Sequence, residues 1–253
     1  GADACVVLED AGVEKAAEWA AFGRHWDAGQ VCVSSKRLIV ADAIYDQFLS
    51  VYKAEVAKFK AGDPMDPATT LAPLSSQKAA DDLKAQVEEA KKHGAVVEAI
   101  GAPVPEKGAF FQPLLMTNLH ETNAARHWEF FGPVTQLYRV KDEAEAIRVA
   151  NDTPYGLGGS VFTKDTKRGV EVAKQIHTGM VYINHPTMVK ADLPFGGVAR
   201  SGYGRELIGL GIKEFVNHKL IDVVDIDAPF SAKKKRLPTP GAAFKRAFKP
   251  EHK

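Results

Sequence analysis

The sequence contains only two cysteines, Cys5 and Cys32, in 253 residues. Two thiols are too few for a disulfide framework, so the composition predicts a protein of a reducing compartment, and we expect a cytoplasmic location. No apolar run approaches the ~20 residues that a membrane-spanning helix needs. The opening stretch also lacks the basic and long apolar segments of a signal peptide. Both absences argue against a membrane partner.

A Gly-x-Gly-x-x-Gly fingerprint is also missing. That fingerprint marks the phosphate-binding turn of many dinucleotide-binding units, so no such unit is predicted in this chain. No metal site is predicted either. The sequence does contain 45% hydrophobic and 26% charged residues, which is typical of globular domains. Its length allows one large domain or two small ones.

Charge is unevenly distributed along the chain, although the net charge is only +1. From Pro229 onward, basic residues outnumber acids eight to one, which leaves the preceding residues acidic overall. The run Phe244-Lys245-Arg246-Ala247-Phe248-Lys249 interleaves aromatic residues with cations, a pattern that can bind phosphate backbones or anionic lipid. A solvated extension has the same composition. We expect neither a nucleic-acid partner nor a membrane partner for this tail.

Apolar periodicity switches repeatedly between strand and helix spacing. Strands are predicted at 4–8, 37–41, 95–100, 114–117, 133–140, 159–163, 180–184 and 216–224. Helices are predicted at 13–22, 44–59, 142–151 and 167–177, with another between a cap at Ser75 or Ser76 and Gly94. The recurring order of strand then helix predicts an α/β domain with a largely parallel, open sheet.

Cys32 is the candidate nucleophile. It lies between the first predicted helix and the strand at 37–41, where rigid elements hold a side chain that stays accessible. Lys36 and Arg37 place positive charge nearby, which favours the reactive thiolate. Cys5, by contrast, lies in a short apolar run and is predicted to pack in the core.

A cysteine hydrolase is one function that these residues suggest. Cys32 would then need a histidine base, and His25 and His185 are the candidates. No spacing signature supports either pair. His25 is predicted to lie on a helix surface, and His185 in a loop.

The segment Gly-Gln-Val-Cys32, followed by Lys-Arg and an apolar strand, resembles the nucleophile segment of the NAD(P)-dependent aldehyde dehydrogenase superfamily. Later segments resemble the same family in the same order: Glu129-Phe130-Phe131-Gly132-Pro133, 151–163, 179–184, 194–198 and 201–207. Within the family, the chain is most similar to bacterial succinate-semialdehyde dehydrogenases, through 184–187 and 207–215. Together these segments span residues 1 to about 224.

The resemblance implies a mechanism. The Cys32 thiolate attacks an aldehyde carbon to form a thiohemiacetal, and oxidation leaves a thioester that water hydrolyses. The family cofactor is NAD or NADP; Glu129 would hold the nicotinamide ribose, and Phe131 would flank the ring. Family members acting on succinate semialdehyde often carry arginine at the position of Trp26. Trp26 instead implies an apolar pocket wall, and Lys190 is either the missing cation or a solvated loop lysine.

The resemblance covers only the catalytic half of the family fold. Residues 1–193 would be the catalytic domain, 194–213 a segment returning to an absent cofactor domain, 214–226 an oligomerisation arm, and 227–253 a basic tail. The glutamate that activates the deacylating water would precede Gly1. We therefore expect the isolated chain to bind no cofactor, to be inactive, and to pair with an amino-terminal half or with copies of itself. The alternative is a non-catalytic, oligomeric interaction module with the same fold.

Overall fold

The structure is a computed structural model, and it describes residues 1–227 of the chain. The chain divides into a compact unit, Gly1–Val216, and a second segment from Asn217 onward. The strands of the compact unit are β1 (Ala4–Val7), β2 (Arg37–Ala41), β3 (Val96–Ala99), β4 (Leu114–Thr117), β5 (Val134–Val140), β6 (Tyr155–Gly156), β7 (Gly159–Phe162), β8 (Tyr182–Ile183) and β9 (Val198–Ala199).

The principal sheet has seven strands in the order β3-β4-β5-β2-β1-β7-β8. Its neighbouring strands are parallel except for β3 and β4, which are antiparallel. β6 and β9 form a separate antiparallel pair. This arrangement confirms the predicted α/β class with a largely parallel sheet.

Five helices lie close to the predicted positions: α1 (Val13–His25), α2 (Tyr45–Val56), α3 (Gln77–Lys92), α4 (Glu143–Asn151) and α5 (Thr166–Ala173). A short sixth helix, α6 (Ile208–Gly211), was not predicted. Of the two serines that precede α3, Ser76 is the cap, because its hydroxyl accepts the Ala79 N–H at 3.1 Å. Asp142 and Asp165 cap α4 and α5 in the same way. Within residues 1–227, no helix combines the length and apolar character required to cross a membrane.

The helices cover the sheet on both faces. Successive residues of a strand point to opposite faces, so Val6 of β1 joins the core beneath α3, α4 and α5. Cys5 and Val7 join the core beneath α1 and α2. All three residues are completely buried, as expected for a central strand of a parallel sheet. The result is a three-layered helix–sheet–helix structure.

Parallel pairing brings the segments that precede β1, β2 and β5 to the same edge of the sheet. Arg37, the first residue of β2, is in register with Ala4 of β1 and with Gln136 of β5. The candidate residues Cys32 and Glu129 precede β2 and β5, so both lie toward the amino end of these strands. Ligands of open α/β sheets are usually found beyond the carboxyl ends. The candidate site occupies the opposite edge.

The prediction of a strand at 216–224 is wrong for the residues that the structure describes. Residues 216–225 have no regular secondary structure, and the side chains of Leu220, Ile221 and Val223 are exposed. A strand forms only where another strand accepts and donates its main-chain hydrogen bonds. No strand within residues 1–227 does so for this segment. The arm at 214–226 stays a prediction, and the basic tail lies outside the described residues, apart from its first residue.

Candidate functional site

The connection from α1 to β2 reverses direction in a left-handed turn. Asp27, Ala28 and Gly29 have φ angles of 50°, 52° and 75°. Residues other than glycine rarely adopt positive φ, so the surrounding structure must hold this turn in place. The turn lies against Gly132, because a Cβ added at Gly29 would sit 2.6 Å from the Gly132 carbonyl oxygen. The turn positions Gln30 and Val31, the two residues that lead to Cys32.

The two cysteines differ in exposure, as the sequence predicted. Cys32 is exposed, in a turn closed by the Ser34 N–H, which donates to the Val31 carbonyl at 3.1 Å. Cys5 is buried in β1. Burial raises the pKa of the Cys5 thiol to about 12, so this thiol stays protonated at neutral pH. Cys32 is therefore the only one of the two thiols that a substrate can approach.

Lys36 lies beneath the Cys32 turn and makes several contacts. Its side chain is 2% exposed. The ammonium donates to the carbonyl oxygens of Val31 and Cys32 at 2.7 and 3.0 Å. It also lies 3.3 Å from Glu129 Oε1 and 5.7 Å from the centre of the Phe131 ring. One buried cation therefore joins three of the residues that the sequence proposed for the site.

The protonation of Lys36 is sensitive to its surroundings. Burial and the neighbouring charge of Arg24 lower the pKa of Lys36 to about 8, although Asp3 and Glu129 oppose both effects. Asp3 is itself buried, and burial raises the pKa of its carboxyl group. Lys36 is thus mostly charged at neutral pH and loses its proton in mildly alkaline solution.

Arg24 is a second buried cation, in the last turn of α1. Its Nε donates to the Val134 carbonyl and its Nη2 to the Phe130 carbonyl, both at 2.9 Å. The guanidinium also donates to the Gly132 carbonyl and to Ser34 Oγ. Because a guanidinium presents its donors in a fixed planar fork, it holds these groups in one arrangement. Arg24 thereby ties the Cys32 connection to the segment before β5.

Arg37 does not act as a third cation beside Cys32. Its guanidinium donates to the carbonyl oxygens of Ala2, Val149 and Ala150, each at 2.8 Å. Val149 and Ala150 belong to the last turn of α4, whose carbonyl groups have no partner within the helix. The sequence grouped Arg37 with Lys36, but only Lys36 contacts Cys32.

Glu129 and Phe131 lie in the irregular segment before β5. Glu129 Oε1 accepts from the amino group of Gly1 at 2.7 Å and faces Lys36, while Oε2 accepts no hydrogen bond within residues 1–227. The side chain of Phe131 is 47% exposed. A carboxylate oxygen with acceptor capacity suits ribose hydroxyls, and an exposed ring suits a flat heterocycle. These residues fit the nicotinamide-ribose end of a dinucleotide.

Trp26 and Lys190, the predicted substrate-side residues, lie outside the contacts of Lys36. Trp26 is 42% exposed and stacks on Phe22, with ring centres 6.1 Å apart. Together with Phe59, these rings line a pocket of about 450 Å³. Lys190 is exposed in a turn closed by the Leu193 N–H, which donates to the Lys190 carbonyl at 3.1 Å.

His25 is not on a helix surface, contrary to the sequence prediction. It is completely buried, with Nδ1 3.0 Å from the Ala21 carbonyl oxygen, and Nε2 has no hydrogen-bond partner among residues 1–227. Its ring lies 5.3 Å from Phe59 and 6.3 Å from Tyr52 of α2, between centres. The prediction failed because α2 covers the end of α1, which periodicity within α1 alone does not reveal.

Neither histidine supplies the base that a cysteine hydrolase needs. Burial lowers the pKa of His25 to about 3, with a further contribution from the charge of Arg24. His185 Nδ1 lies 2.8 Å from the Pro186 carbonyl oxygen, and its ring packs on Trp19 with centres 4.4 Å apart. Within residues 1–227, no hydrogen bond joins either histidine to Cys32.

Sequence reasoning missed Arg24 and Asp3. Arg24 follows Ala20 and Ala21 at helical spacing, so it continues the buried stripe of α1. A charged residue on an apolar stripe is a signal that could have identified it. For Asp3 the sequence offers no comparable signal, because a carboxylate before a strand is usually solvated.

Comparisons with known proteins identify the family of the chain. The model of the aldehyde dehydrogenase family matches residues 1–221. The NADP-linked succinate-semialdehyde dehydrogenase of Deinococcus radiodurans is 49% identical over 221 residues, which are 87% of this chain and 46% of that protein. A succinate-semialdehyde dehydrogenase of Mycobacterium ulcerans is 38% identical over 221 residues, and the matched region is 87% of this chain and 48% of that protein.

A solved structure extends the likeness to three dimensions. Succinic semialdehyde dehydrogenase from Streptococcus pyogenes, solved in complex with NADP+, is 44% identical, with a TM-score of 0.84 over 89% of this chain and 50% of that chain. The chain thus spans about half the length of the curated relatives it matches. With sequence and fold in agreement over most of its residues, the chain belongs to the aldehyde dehydrogenase family.

Proposed function

We propose that this chain carries the nucleophile half of an NADP-linked succinate-semialdehyde dehydrogenase, with Cys32 as the catalytic residue. The observation that carries the proposal is the exposed Cys32 turn held by Lys36, which also contacts Glu129 and Phe131. The relatives from Deinococcus radiodurans and Streptococcus pyogenes support the substrate and the choice of NADP. We further propose that the active protein is cytoplasmic and oligomeric.

The chemistry begins at the sulfur of Cys32. The thiolate forms a bond to the aldehyde carbon, and the carbonyl π electrons move to the oxygen. The main-chain N–H of Cys32 donates to no main-chain oxygen within residues 1–227, so it can donate to this developing oxyanion. After oxidation, the thioester on Cys32 is cleaved by water, which releases the carboxylic acid and restores the thiol.

Glu129 and Phe131 are the proposed cofactor residues. Glu129 Oε2 would accept from a ribose hydroxyl, and the exposed face of Phe131 would pack beside the nicotinamide ring. NADP bound in this way would supply the hydride acceptor for the oxidation. Both side chains lie close to Lys36, so the cofactor residues and the nucleophile share one support.

Trp26 and Lys190 are the proposed substrate residues. Trp26, stacked on Phe22, would form an apolar wall beside the aldehyde chain. Lys190 would pair with the distal carboxylate of succinate semialdehyde, because an exposed ammonium can reach a charged group at the mouth of a site. A Lys190→Met variant should then raise the KM for succinate semialdehyde more than the KM for an uncharged aldehyde.

The proposed arrangement makes 1–193 the catalytic domain, 194–213 the segment that returns to a cofactor domain, and 214–226 an oligomerisation arm. In this arrangement the chain alone has no complete cofactor site. We therefore expect that residues 1–253 alone neither bind NADP tightly nor oxidise aldehydes.

A fusion enzyme tests the proposal. The chain is joined to the amino-terminal half of the Deinococcus radiodurans relative, and NADPH formation from succinate semialdehyde is followed by absorbance. We expect turnover in the fusion, no turnover after Cys32→Ser, and full turnover after Cys5→Ser. Turnover that survives Cys32→Ser would refute the assignment of the nucleophile.

A non-catalytic interaction module is the second candidate, and one observation favours it. Ile212 and Phe215 are 67% and 87% exposed at the end of the compact unit, as in a surface that binds a partner. A stable, well-folded fusion that lacks activity, together with self-association of the isolated chain, would select this function.

A further inference from the structure

Two buried cations, Arg24 and Lys36, join the connection that carries Cys32 to the segment that carries Glu129 and Phe131. Arg24 donates to the Phe130 and Val134 carbonyl oxygens on one side and to Ser34 Oγ on the other, so it acts as a structural support. Lys36 differs, because besides the carbonyl oxygens of Val31 and Cys32 it faces a carboxylate, Glu129, that has its own proposed role. The chemistry described so far assigns Lys36 no function.

We propose that Lys36 is a positioning residue: its ammonium holds the Cys32 turn and the Glu129 carboxylate in one arrangement. The proposal rests on the function proposed above. It goes further by naming a residue that neither touches the reacting atoms nor binds cofactor, yet controls two groups that do.

The contacts of Lys36 explain how one side chain holds both the Cys32 turn and the Glu129 carboxylate. The ammonium donates to the Cys32 carbonyl at 3.0 Å, so it fixes the main chain to which the thiol is attached. The same nitrogen is 3.3 Å from Glu129 Oε1, which leaves Oε2 of that carboxylate for another partner. A displacement of Lys36 would therefore alter the spacing between Cys32 and Glu129.

The charged groups around Lys36 come from several elements. Arg24 approaches from α1, Asp3 from the segment before β1, and Glu129 from the segment before β5; the Gly1 amino group also binds Glu129. Burial and Arg24 weaken the proton affinity of Lys36, and the two carboxylates strengthen it. The pKa of about 8 that results places the loss of its charge within reach of an ordinary pH titration.

A purely structural role would have a different signature. Lys36→Met leaves the Val31 and Cys32 carbonyl oxygens and the carboxylates of Asp3 and Glu129 without their cation, so it should lower the melting temperature. A structural defect of this kind would lower Cys32 reactivity by the same factor at every pH. A positioning role predicts instead that the effect of Lys36→Met disappears as wild-type Lys36 loses its charge.

The first experiment uses the intact chain and needs no cofactor. The rate of Cys32 alkylation by iodoacetamide is measured by peptide mapping between pH 6.5 and 9.5, in the wild type, Lys36→Met and Lys36→Arg. Lys174→Met is the control, because Lys174 is exposed and, among the residues that the structure describes, forms an ion pair only with Glu171. Melting temperatures are recorded for every variant.

We expect Lys36→Met to slow Cys32 alkylation about 10-fold at pH 7, since the turn that carries the thiol loses the ammonium that binds its two carbonyl oxygens. The ratio of wild-type to Lys36→Met rates should fall toward one above pH 8, where wild-type Lys36 loses its charge. Lys36→Arg keeps its charge across this range, so its advantage over Lys36→Met should persist. Equal rates in the wild type and Lys36→Met, or a ratio that is constant with pH, would overturn the proposal.

A second experiment separates this proposal from the proposed function. In the fusion enzyme, Lys36→Met should lower kcat about 10-fold and change the KM for the aldehyde less than about 2-fold, because the residue acts on alignment and not on substrate binding. If Cys32→Ser abolishes turnover but Lys36→Met leaves kcat unchanged, the positioning role alone is wrong. If turnover survives Cys32→Ser, the nucleophile assignment is wrong, whatever the alkylation rates show.

Discussion

Gly29 packs so closely against Gly132 that a Cβ atom at position 29 would lie 2.6 Å from the Gly132 carbonyl oxygen. Gly29 also has a φ of +75°, where a side chain is strained whatever the space. Gly29 precedes Cys32, and Gly132 follows Glu129 and Phe131. This backbone contact therefore sets how near the nucleophile lies to the proposed cofactor residues.

The first prediction follows from that contact. Gly29→Ala should destabilise the chain by about 2–4 kcal/mol, since it combines backbone strain with a steric overlap that only movement of the main chain can relieve. Gly94→Ala is the matched control, because Gly94 also has positive φ but its Cβ would meet no atom within 4 Å. Gly94→Ala should lower the free energy of unfolding by only about 1 kcal/mol. Urea unfolding measures both, and equal losses would show that the Gly132 contact is unimportant.

Removing the Arg24 guanidinium should cost more stability than removing an exposed one. Arg24→Met leaves the buried carbonyls of Phe130 and Val134 without their donor, and we expect a loss of about 3–5 kcal/mol. Arg139→Met is the control, because the ion pair of Arg139 with Asp42 is exposed and should contribute less than about 1 kcal/mol. Similar urea midpoints for the two variants would contradict this account.

His25 should make the fold sensitive to acid. Burial lowers its pKa to about 3 in the folded state, while the unfolded chain titrates near 6.5. Between these values only the unfolded state binds the proton, so stability falls as the pH drops below about 6.5, by up to ~1.4 kcal/mol per pH unit. His25→Leu should lessen this slope between pH 6 and 4, whereas His93→Leu, at an exposed position, should not. Parallel stability curves for the wild type and His25→Leu would disprove the assignment.

Alkylation should distinguish the two thiols. Brief treatment of the native chain with iodoacetamide at neutral pH should modify Cys32 and leave Cys5 unmodified, because Cys5 is buried and its pKa is raised to about 12. Unfolding in urea should make both thiols react, which serves as the internal control. Preferential labelling of Cys5 in the native chain would mean that β1 is accessible.

The apolar end of the compact unit should promote association. Ile212 and Phe215 expose most of their side chains, and such patches favour contact with another surface. Sedimentation velocity at increasing concentration should show dimers or larger species for the wild type and a shift toward monomer for Phe215→Glu. A wild-type chain that remains monomeric at high concentration would argue against both the oligomer and the interaction module.

Much of the fold could be predicted from local pattern. The strand at 37–41 and the strand at 114–117 have the predicted bounds, and α1 begins at the predicted residue, Val13. Apolar spacing and capping side chains are properties of neighbouring residues, so periodicity reports them directly. The strand predicted at 216–224 fails for the complementary reason, since a strand depends on a partner that its own residues do not specify.

The sequence by itself determined the family, the parallel α/β class and the identity of the candidate nucleophile, because each depends on motifs and periodicities that are continuous in the chain. Only the tertiary structure decided that Lys36 contacts Cys32 and Glu129, that Arg37 binds α4 instead, and that α2 buries His25. These relationships join segments far apart in sequence. They arise because parallel pairing of β1, β2 and β5 brings the preceding segments to one edge, where burial then sets the charge of each side chain.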